Sequence, residues 1–327
     1  MATNFLVVGD IHWRAVNPRA RTDNYMEAIA AKLLEVFATA REHRCTAILS
    51  SGDLTDTAGL QLSTIGDLME ILRQAPCPVL EVPGNHDTWG ANPDTLPRTP
   101  FGLLARGGWI QDVSRRPVRF GGDIPIVVTG HAYDAETDLD PRQYAAPATE
   151  PGAIRIRLAH GMLLRQSPGI PLRHTTLDQL AGVPGLPEIL ICGHEHLTHW
   201  VQRVDKALVL KPGALCRLTA HIEEIHRPIQ VMLLTVADAG AQVQDITLQS
   251  AQLGSEILSR DHLTEAAERE DRLAEFLALL QDQGEMKFLN SLEMAEQLAT
   301  EMQLPSAVVT EARARLTRAR EELGVAV

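Results

Sequence analysis

The 327-residue chain has few cysteines and no long apolar run. Its four cysteines are scattered, without the paired spacing of a structural zinc site, at Cys45, Cys77, Cys192 and Cys216. We therefore expect buried or partly buried thiols in a reducing cytoplasm. No stretch approaches the roughly 18 apolar residues that a membrane-spanning helix needs, and the first residues lead into a strand pattern without a signal peptide. The sequence predicts a cytoplasmic protein with no membrane span.

Positive charge is also scarce, because 30 Lys and Arg residues stand against 42 Asp and Glu residues, a formal net charge of −12. A protein that binds nucleic acid through charge alone usually presents a basic surface. The composition therefore argues against tight, nonspecific duplex binding by this chain. Binding through metal contacts and a local basic loop, with Arg14, Arg19 and Arg21, stays open.

The pattern of apolar residues predicts one large α/β domain and a helical appendage. Residues 1–250 alternate strand-like and helix-like segments, and closely spaced strand patterns between residues 207 and 248 indicate an antiparallel part. Residues 134–152 show no periodicity, which predicts a surface loop, with a lid as the alternative. Residues 255–327 are acidic and helical: one stripe runs from Leu263 to Leu280, a capping box at Asn290 opens a second helix, and Pro305 begins a third.

Five short polar clusters each follow a hydrophobic, strand-like run. They read Gly9-Asp10-Ile11-His12, Gly52-Asp53-Leu54-Thr55-Asp56, Gly84-Asn85-His86-Asp87, Ala159-His160-Gly161 and Gly193-His194-Glu195-His196. Open α/β sheets place their sites beyond the carboxyl ends of the strands, so these clusters are expected to meet at one site. The glycines are expected to free the backbone where each strand turns sharply.

The side chains in these clusters form a ligand set of intermediate softness. Carboxylate, imidazole and amide oxygen suit manganese, iron, zinc and, less well, magnesium. Two such ions, about 3.5–4 Å apart, can hold a hydroxide between them and clamp a phosphoryl group for in-line attack. Asp53 is our candidate for the carboxylate that bridges both ions, because it ends a strand near the centre of a parallel sheet. The sequence predicts a dinuclear centre that cleaves phosphate esters.

These five motifs resemble the signature of the calcineurin-like metallophosphoesterase superfamily over about residues 4–250. The resemblance implies a four-layer α-β-β-α sandwich of two mixed sheets. It implies two divalent ions, manganese first, with iron, zinc or magnesium as alternatives. The first ion would be held by Asp10, His12, Asp53 and His196, and the second by Asp53, Asn85, His160 and His194.

The resemblance also implies two catalytic residues. His86 matches the histidine that contacts the phosphate and protonates the leaving oxygen, and Asp56 matches a carboxylate that orients this histidine. A carboxylate on one imidazole nitrogen fixes the tautomer and raises the basicity of the ring. We expect Asp87 to bond nearby backbone and hold its loop, and Glu195 to point away from the metals.

Within the superfamily, the chain is most similar to SbcD-type DNA repair nucleases. The supporting features are a long amphipathic helix after the first motif, the strand and turn ending in Gly130-His131-Ala132-Tyr133, and the segment from Pro212-Gly213-Ala214 to a strand ending at Val236. This similarity implies a DNA exonuclease or endonuclease in which metal-bridged hydroxide attacks phosphorus and His86 acts as the general acid. A small-molecule or cyclic-nucleotide phosphodiesterase or phosphatase would use the same residues and is the alternative.

The family places partner-binding helices after the nuclease domain. Docking of residues 255–327 to an SbcC-like coiled-coil ATPase is therefore one interpretation. The other is that these helices pack on their own domain or on a second copy in a homodimer. A scaffold without catalysis, the third hypothesis, is disfavoured by the complete ligand set and His86.

Overall fold

The computed structural model describes residues 2–261, 299–300 and 306–322. The chain divides into two compact units, Met1–Arg260 and Asp261–Val327. All five polar motifs belong to the first unit. The predicted helices around Leu263–Leu280 and after Asn290 lie outside the described residues.

The first sheet carries the first three motifs. Its strands are β1 (Thr3–Val8), β2 (Ala47–Ser50), β3 (Val79–Glu81), β4 (Gln111–Asp112), β13 (Gln230–Ala237) and β14 (Gly240–Thr247). The order is β14-β13-β1-β2-β3-β4, with β1 to β4 parallel and β13 and β14 antiparallel to their neighbours. The second motif therefore follows an inner strand, as the sequence predicts.

The second sheet carries the fourth and fifth motifs. Its strands are β5 (Val118–Phe120), β6 (Ile126–His131), β7 (Ile154–His160), β10 (Ile189–Gly193), β11 (Trp200–Val204) and β12 (Ala207–Lys211). The order is β11-β12-β10-β7-β6-β5, with four parallel strands inside and an antiparallel strand at each edge. A short parallel pair joins β8 (Leu163–Leu164) to β9 (Thr175–Thr176). The predicted α/β fold of two mixed sheets is confirmed.

Helices cover the outer face of each sheet. They are α1 (Tyr25–Glu42), α2 (Leu62–Leu72), α3 (Pro100–Gly107), α4 (Leu177–Leu180), α5 (Ile222–His226) and α6 (Gly254–Ile257). In α1 the predicted stripe is buried, and the side chain of Asn24 caps its first turn by accepting from the amide of Glu27. Each buried Leu or Ile in such a stripe contributes about 1.5–3 kcal/mol to stability.

Strand β1 shows how the four layers form. Leu6 and Val8 pack against α1, α2 and α3, whereas Phe5 and Val7 face the second sheet. This alternation follows from the two-residue period of a strand. The outer face of the second sheet packs against α4 and Tyr144. The result is the predicted α-β-β-α sandwich, whose outer layer on the second sheet is thin.

The stretch 134–152 is the predicted surface loop, since most of its residues are exposed or half-buried, but a few buried residues anchor it. It contains a 3₁₀ turn, Pro141–Tyr144, and Thr137, Asp138 and Tyr144 are buried. Asp138 accepts hydrogen bonds from the amide of Met162 and the hydroxyl of Tyr133. The packing of these few polar and aromatic residues, which sequence periodicity does not reveal, fixes the stretch against the segment after the fourth motif.

In the second unit the described helix is α7 (Ser306–Glu322), which begins directly after Pro305. Gly324, which the sequence predicts as the stop of this helix, lies outside the described residues. Among the helices that the structure describes, none has both the length and the apolar character that crossing a bilayer requires.

Candidate functional site

The five motifs meet where the carboxyl ends of the two sheets come together. Three of the predicted ligand residues have left-handed backbone: φ is 52° at His12, 52° at Asp53 and 82° at His194. Non-glycine residues adopt this conformation rarely, and it is concentrated at functional sites. An unfavourable backbone conformation therefore turns these three side chains toward one point.

Most of the motif glycines are required because a side chain would not fit at their positions. The prediction that they free the backbone at sharp turns holds for one of them. Only Gly52, with φ of 108°, needs the left-handed region. At Gly84 a Cβ would lie 2.1 Å from Oδ1 of Asp53, and Gly9 and Gly193 likewise face backbone carbonyls too closely for a side chain. Glycine is needed because two sheets and five loops converge here without room for further atoms.

The first cluster consists of Asp10, His12, Asp53 and His196, whose ligand atoms all lie within 4.8 Å of one another. Nε2 of His12 lies 3.0 Å from Nε2 of His196 and 3.4 Å from Oδ2 of Asp53. Two imidazole nitrogens that face each other this closely direct their lone pairs to a common point. A cation can occupy that point.

The second cluster shares Asp53 with the first and adds His160 and His194. Nε2 of His160 lies 3.1 Å from Nδ1 of His194, 3.0 Å from the amide oxygen of Asn85 and 3.2 Å from Oδ2 of Asp53. All seven predicted metal ligands are thus brought together, and one oxygen of Asp53 faces both groups.

The two central carboxylates each leave one oxygen without an aligned hydrogen-bond donor. Oδ1 of Asp10 accepts from the amide of His194, and Oδ1 of Asp53 accepts from the amide of His86, each at 2.9 Å. Their Oδ2 atoms are buried and have no aligned donor, although Oδ2 of Asp53 lies 3.2 Å from Nε2 of His160 and 3.4 Å from Nε2 of His12. Because a buried anionic oxygen is costly without a partner, these atoms fit a site for divalent cations.

Further contacts orient the histidine ligands from behind. Nδ1 of His160 lies 2.9 Å from the carbonyl of Ser51, and Nδ1 of His12 lies 3.2 Å from the carboxylate of Asp56. A proton held on Nδ1 leaves the lone pair of Nε2 free for a metal.

The contacts of Asp56 differ from those that the resemblance implies. Its carboxylate lies against His12 and pairs with Arg14 at 3.0 Å. The exposed ring of His86 instead places Nδ1 2.8 Å from the backbone carbonyl of Asp56. The residue still orients His86, but through a main-chain atom, because the turn after β2 directs the carboxylate toward the first motif.

The charges within the clusters are strongly coupled. Burial lowers the pKa of His160, but the carboxylates of Asp53 and Asp10 outweigh burial and raise it to about 9. Burial and the charge of His160 lower the pKa of His194 to about 3, and burial lowers that of His196 to about 4. Although burial opposes ionisation of Asp53, His160 and His12 hold its pKa well below the usual range.

These pKa values predict that metal binding releases a proton. With a pKa of about 9, His160 is protonated at neutral pH until a cation takes the lone pair of Nε2. Since protons compete with the metal, apparent affinity should fall about tenfold for each pH unit below the pKa. Although burial lowers it, the pKa of His12 is also raised, by Asp56 and Asp53. Calorimetric titration with Mn²⁺ in two buffers of different ionisation enthalpy should therefore show release of one or more protons at neutral pH.

The same titration above the pKa of His160 is the control. There the ring is already neutral, and the release attributed to it should disappear. If Mn²⁺ binds at neutral pH without releasing a proton, His160 is not the charged group that this assignment makes it.

Two further expectations from the sequence are confirmed. Asp87 is buried and accepts from the amides of Gly84 and Thr55 and the hydroxyl of Thr55, so it joins the second and third motif loops. Burial and the charge of Asp53 raise the pKa of Asp87 to about 6. Glu195 accepts from the amides of Leu197 and Thr198 and points away from the clusters.

Sequence reasoning missed two residues that support the second cluster. The ring of Tyr133 lies 5.3 Å from that of His194 and 5.9 Å from that of His160, measured between centroids. Because Tyr133 lies in the turn directly after β6, its position near the site could have been predicted from the sequence. The ammonium of buried Lys211 donates to the carbonyls of Gly193 and Gly161, at 2.5 Å and 3.4 Å. Nothing in the pattern distinguishes this lysine from an exposed one.

The thiol of Cys216 lies near the first cluster, within 4.8 Å of ligand nitrogens of His12 and His196. Burial raises the pKa of this thiol far above its usual range. Because the thiolate is the metal-binding form, a thiol that holds its proton is a poor ligand. The buried state expected for the cysteines is found at Cys45, Cys192 and Cys216.

The chain is similar to several solved structures, at 12–13% sequence identity. The protein TT1561 of Thermus thermophilus shares 13% identity over 75% of this chain and 99% of its own, with a TM-score of 0.46. A dimetal phosphatase from Danio rerio shares 13% identity over 75% and 98%, with a TM-score of 0.46. A novel archaeal phosphodiesterase shares 12% identity over 75% and 100%, with a TM-score of 0.37. No curated protein matches the chain.

The family comparison rests on the sequence itself. The family model named Metallophos, the calcineurin-like phosphoesterases, matches residues 3–197, more than half of the chain. The matched range ends just after the fifth motif and so includes every residue of both clusters. The chain therefore belongs to the calcineurin-like phosphoesterase family, whose members are metal-dependent phosphoester hydrolases.

Proposed function

We propose that the protein is a phosphodiesterase that uses two divalent ions to cleave DNA, as SbcD-type nucleases do. The observation that carries the proposal is the pair of ligand clusters that share Oδ2 of Asp53. A shared carboxylate oxygen is what two ions about 3.5–4 Å apart require.

In this proposal the ligands divide as the resemblance implies. The first ion is held by Asp10, His12, Asp53 and His196, and the second by Asp53, Asn85, His160 and His194. Manganese is the proposed metal because the resemblance implies it, and the oxygen ligands of Asp10, Asp53 and Asn85 are of the type that it accepts. When bound, the two ions supply Lewis acidity that activates a water nucleophile and neutralises charge on the phosphate.

His86 is proposed to transfer the proton that the reaction requires. The carbonyl of Asp56, 2.8 Å from Nδ1, can hold a proton there, and the ring is exposed to solvent. As the nucleophile forms its bond to phosphorus, the bond to the leaving oxygen breaks and its electrons go to that oxygen. The protonated ring then donates from Nε2 to the leaving oxygen.

One observation supports the SbcD-type branch in particular. The turn Gly130-His131-Ala132-Tyr133, which resembles that branch in sequence, lies against the second cluster through the ring of Tyr133. Arg14 lies beside the same centre, paired with Asp56. A local cation at the site is consistent with substrate binding by a chain of net charge −12, since metal and local contacts then replace a basic surface.

A cavity beside the fifth motif favours the second candidate, a small-molecule or cyclic-nucleotide phosphodiesterase or phosphatase. It has a volume of about 610 Å³ and lies between the segment after the fourth motif and the residues that follow Glu195. Its walls include Leu164, Leu172 and Trp200, with the guanidinium of Arg165 5.2 Å from the centroid of the Trp200 ring. This volume lies within the range of about 300–1,000 Å³ that is typical of small-ligand sites.

The test is a manganese-supplemented assay of linear, circular and single-stranded DNA beside cyclic nucleotides and bis(4-nitrophenyl) phosphate. We expect hydrolysis of the aryl diester and cleavage of at least one form of DNA, because both contain the same phosphodiester centre. Hydrolysis of the small diester or cyclic nucleotides without cleavage of any DNA would favour the second candidate. The profile on circular and linear DNA separates endonuclease from exonuclease action.

We further propose that an SbcC-like coiled-coil ATPase is the partner of the helices in residues 255–327, and that the complex acts in the cytoplasm. The part of this region that supports the idea is α7, in which Val308 is exposed beside charged residues such as Glu311 and Arg315. The DNA assay repeated with the purified ATPase tests this partnership.

A further inference from the structure

A small cavity adjoins His86 and the proposed metal ligand Asn85. It has a volume of about 200 Å³ and is lined by Asp56, Thr57, Ala58, Asn85, His86, Thr88 and Trp89. Because His86 is proposed to protonate the leaving oxygen, the group attached to that oxygen is the part of a substrate expected nearest to this cavity. Its volume is below the range of about 300–1,000 Å³ of complete small-ligand sites, so it accommodates one part of a substrate.

Trp89 presents an aromatic surface to this cavity. Its side chain is 51% exposed, although large aromatic residues are usually well buried. The residue is not loosely attached: its amide donates to the hydroxyl of Thr95 at 2.9 Å, and its carbonyl accepts from the amide of Asn92 at 3.2 Å. An exposed ring on an anchored turn, beside the proposed acid, is a preformed stacking surface.

Gly59 packs against the edge of this ring. A Cβ at Gly59 would lie 2.9 Å from Cη2 of Trp89, so a side chain here would displace the ring. Gly59 has no left-handed backbone angle, which means that alanine is acceptable to its own backbone. The ring position therefore depends on a residue that is neither a metal ligand nor a catalytic group.

The charges around the cavity disfavour a charged occupant. The carboxylate of Asp56 is already paired with Arg14 and His12, and Thr57, Ala58 and Thr88 are neutral. Among these lining residues, a second phosphate would find no lysine or arginine, and a cationic group would find no free carboxylate. An uncharged, planar group that stacks on indole meets these conditions.

We propose that Trp89 stacks on the nucleobase of the leaving nucleoside and so selects nucleotide diesters over simple alkyl diesters. This inference rests on the proposed phosphodiesterase function and adds the substrate class at the leaving side. Stacking of a base on an aromatic side chain is sequence-tolerant, because every base has a π-face. The expected contribution is about a tenfold preference, within the range measured for such stacking.

The experiment compares kcat/KM for a thymidine dinucleotide with two analogues that each lack one of its bases, in the presence of Mn²⁺. Product analysis identifies the leaving side. The wild-type protein should cleave the analogue without the leaving-side base about tenfold less efficiently than the complete dinucleotide. Trp89→Ala should bring this ratio close to one, whereas Trp89→Phe should keep most of it.

Two further variants distinguish an effect of the position of the indole ring from a nonspecific effect of substitution on the protein. Gly59→Ala keeps the indole but displaces it, and it should reduce the preference for the leaving-side base. Ile222→Ala removes a side chain with the same 51% exposure outside the cavity and should leave the ratio as in the wild type. A short single strand with one abasic position, tested in the same way, shows whether the base is read in DNA or in small nucleotides.

Two results overturn the inference for different reasons. Equal cleavage of all three dinucleotides by the wild type, or an unchanged ratio in Trp89→Ala, removes the role of Trp89 while the phosphodiesterase function stands. Failure of the wild type to hydrolyse any dinucleotide or bis(4-nitrophenyl) phosphate removes the proposed function, and the inference with it.

Discussion

Asp53→Asn is expected to abolish hydrolysis and to lower the metal content of the protein. The substitution keeps Oδ1, which accepts a hydrogen bond from the amide of His86. It removes the negative charge and replaces Oδ2, the oxygen that faces His12 and His160, by an amide nitrogen. Loss of a group that merely orients a ligand typically weakens metal binding about 10–100-fold, and a shared ligand should matter more. Elemental analysis of metal per chain, together with the rate on an aryl diester, measures both effects.

Asp245→Asn is the matched control for this variant. It makes the same chemical change in a carboxylate of β14 that is 48% exposed and pairs with His199. Metal content and activity should stay at the wild-type level. An active Asp53→Asn protein with two metals per chain would exclude Asp53 as the bridging ligand.

His86→Ala is expected to retain both metals and the fold but to lose most turnover on diesters with poor leaving groups. General acid catalysis contributes typically about 10²–10⁴-fold, and an alkoxide leaving group depends on it fully. A nitrophenolate needs less protonation, so bis(4-nitrophenyl) phosphate should be affected less. The ratio of kcat values on DNA or dinucleotide and on the aryl diester, wild type against variant, measures the effect.

Asp56→Asn provides the contrast for the same assay. Because the backbone carbonyl of Asp56 contacts His86, the substitution leaves that contact in place. It weakens the contacts of the carboxylate with His12 and Arg14 instead. We therefore expect a change in metal affinity without the dependence on leaving group that His86→Ala shows.

Two outcomes would revise the role of His86. Equal losses on good and poor leaving groups, with both metals retained, would make His86 a phosphate-positioning residue. Loss of a metal ion from His86→Ala would show that the division of ligands is wrong.

The family and the ligand set could be predicted from the sequence because both depend on local patterns. A strand has a two-residue period, and each motif places ligand-type residues directly after such a run, as at Asp10 and Asp53. The parallel order of β1, β2 and β3 then brings the first three motifs to one edge. A site that consists of ligand-type residues at the ends of strands can therefore be predicted from the sequence alone.

The roles of single atoms could not be predicted, because they depend on how loops from two sheets pack. The carboxylate and the carbonyl of Asp56 serve different histidines, and a sequence motif does not distinguish them. The reason for Gly84 is likewise a contact across the site, with Asp53, and not a turn in its own loop.

The five motifs could be identified from the sequence, and the family resemblance that they carry implied the α/β sandwich and the seven candidate ligands. The folded structure was needed to show that the first three motifs come from one sheet and the last two from the other. It was also needed to place Tyr133 and Lys211 against the second cluster and to show that Trp89 is exposed beside His86. The physical reason is that residue type and periodicity are properties of neighbours along the chain. Burial, exposed faces and shared carboxylate oxygens are properties of neighbours in space.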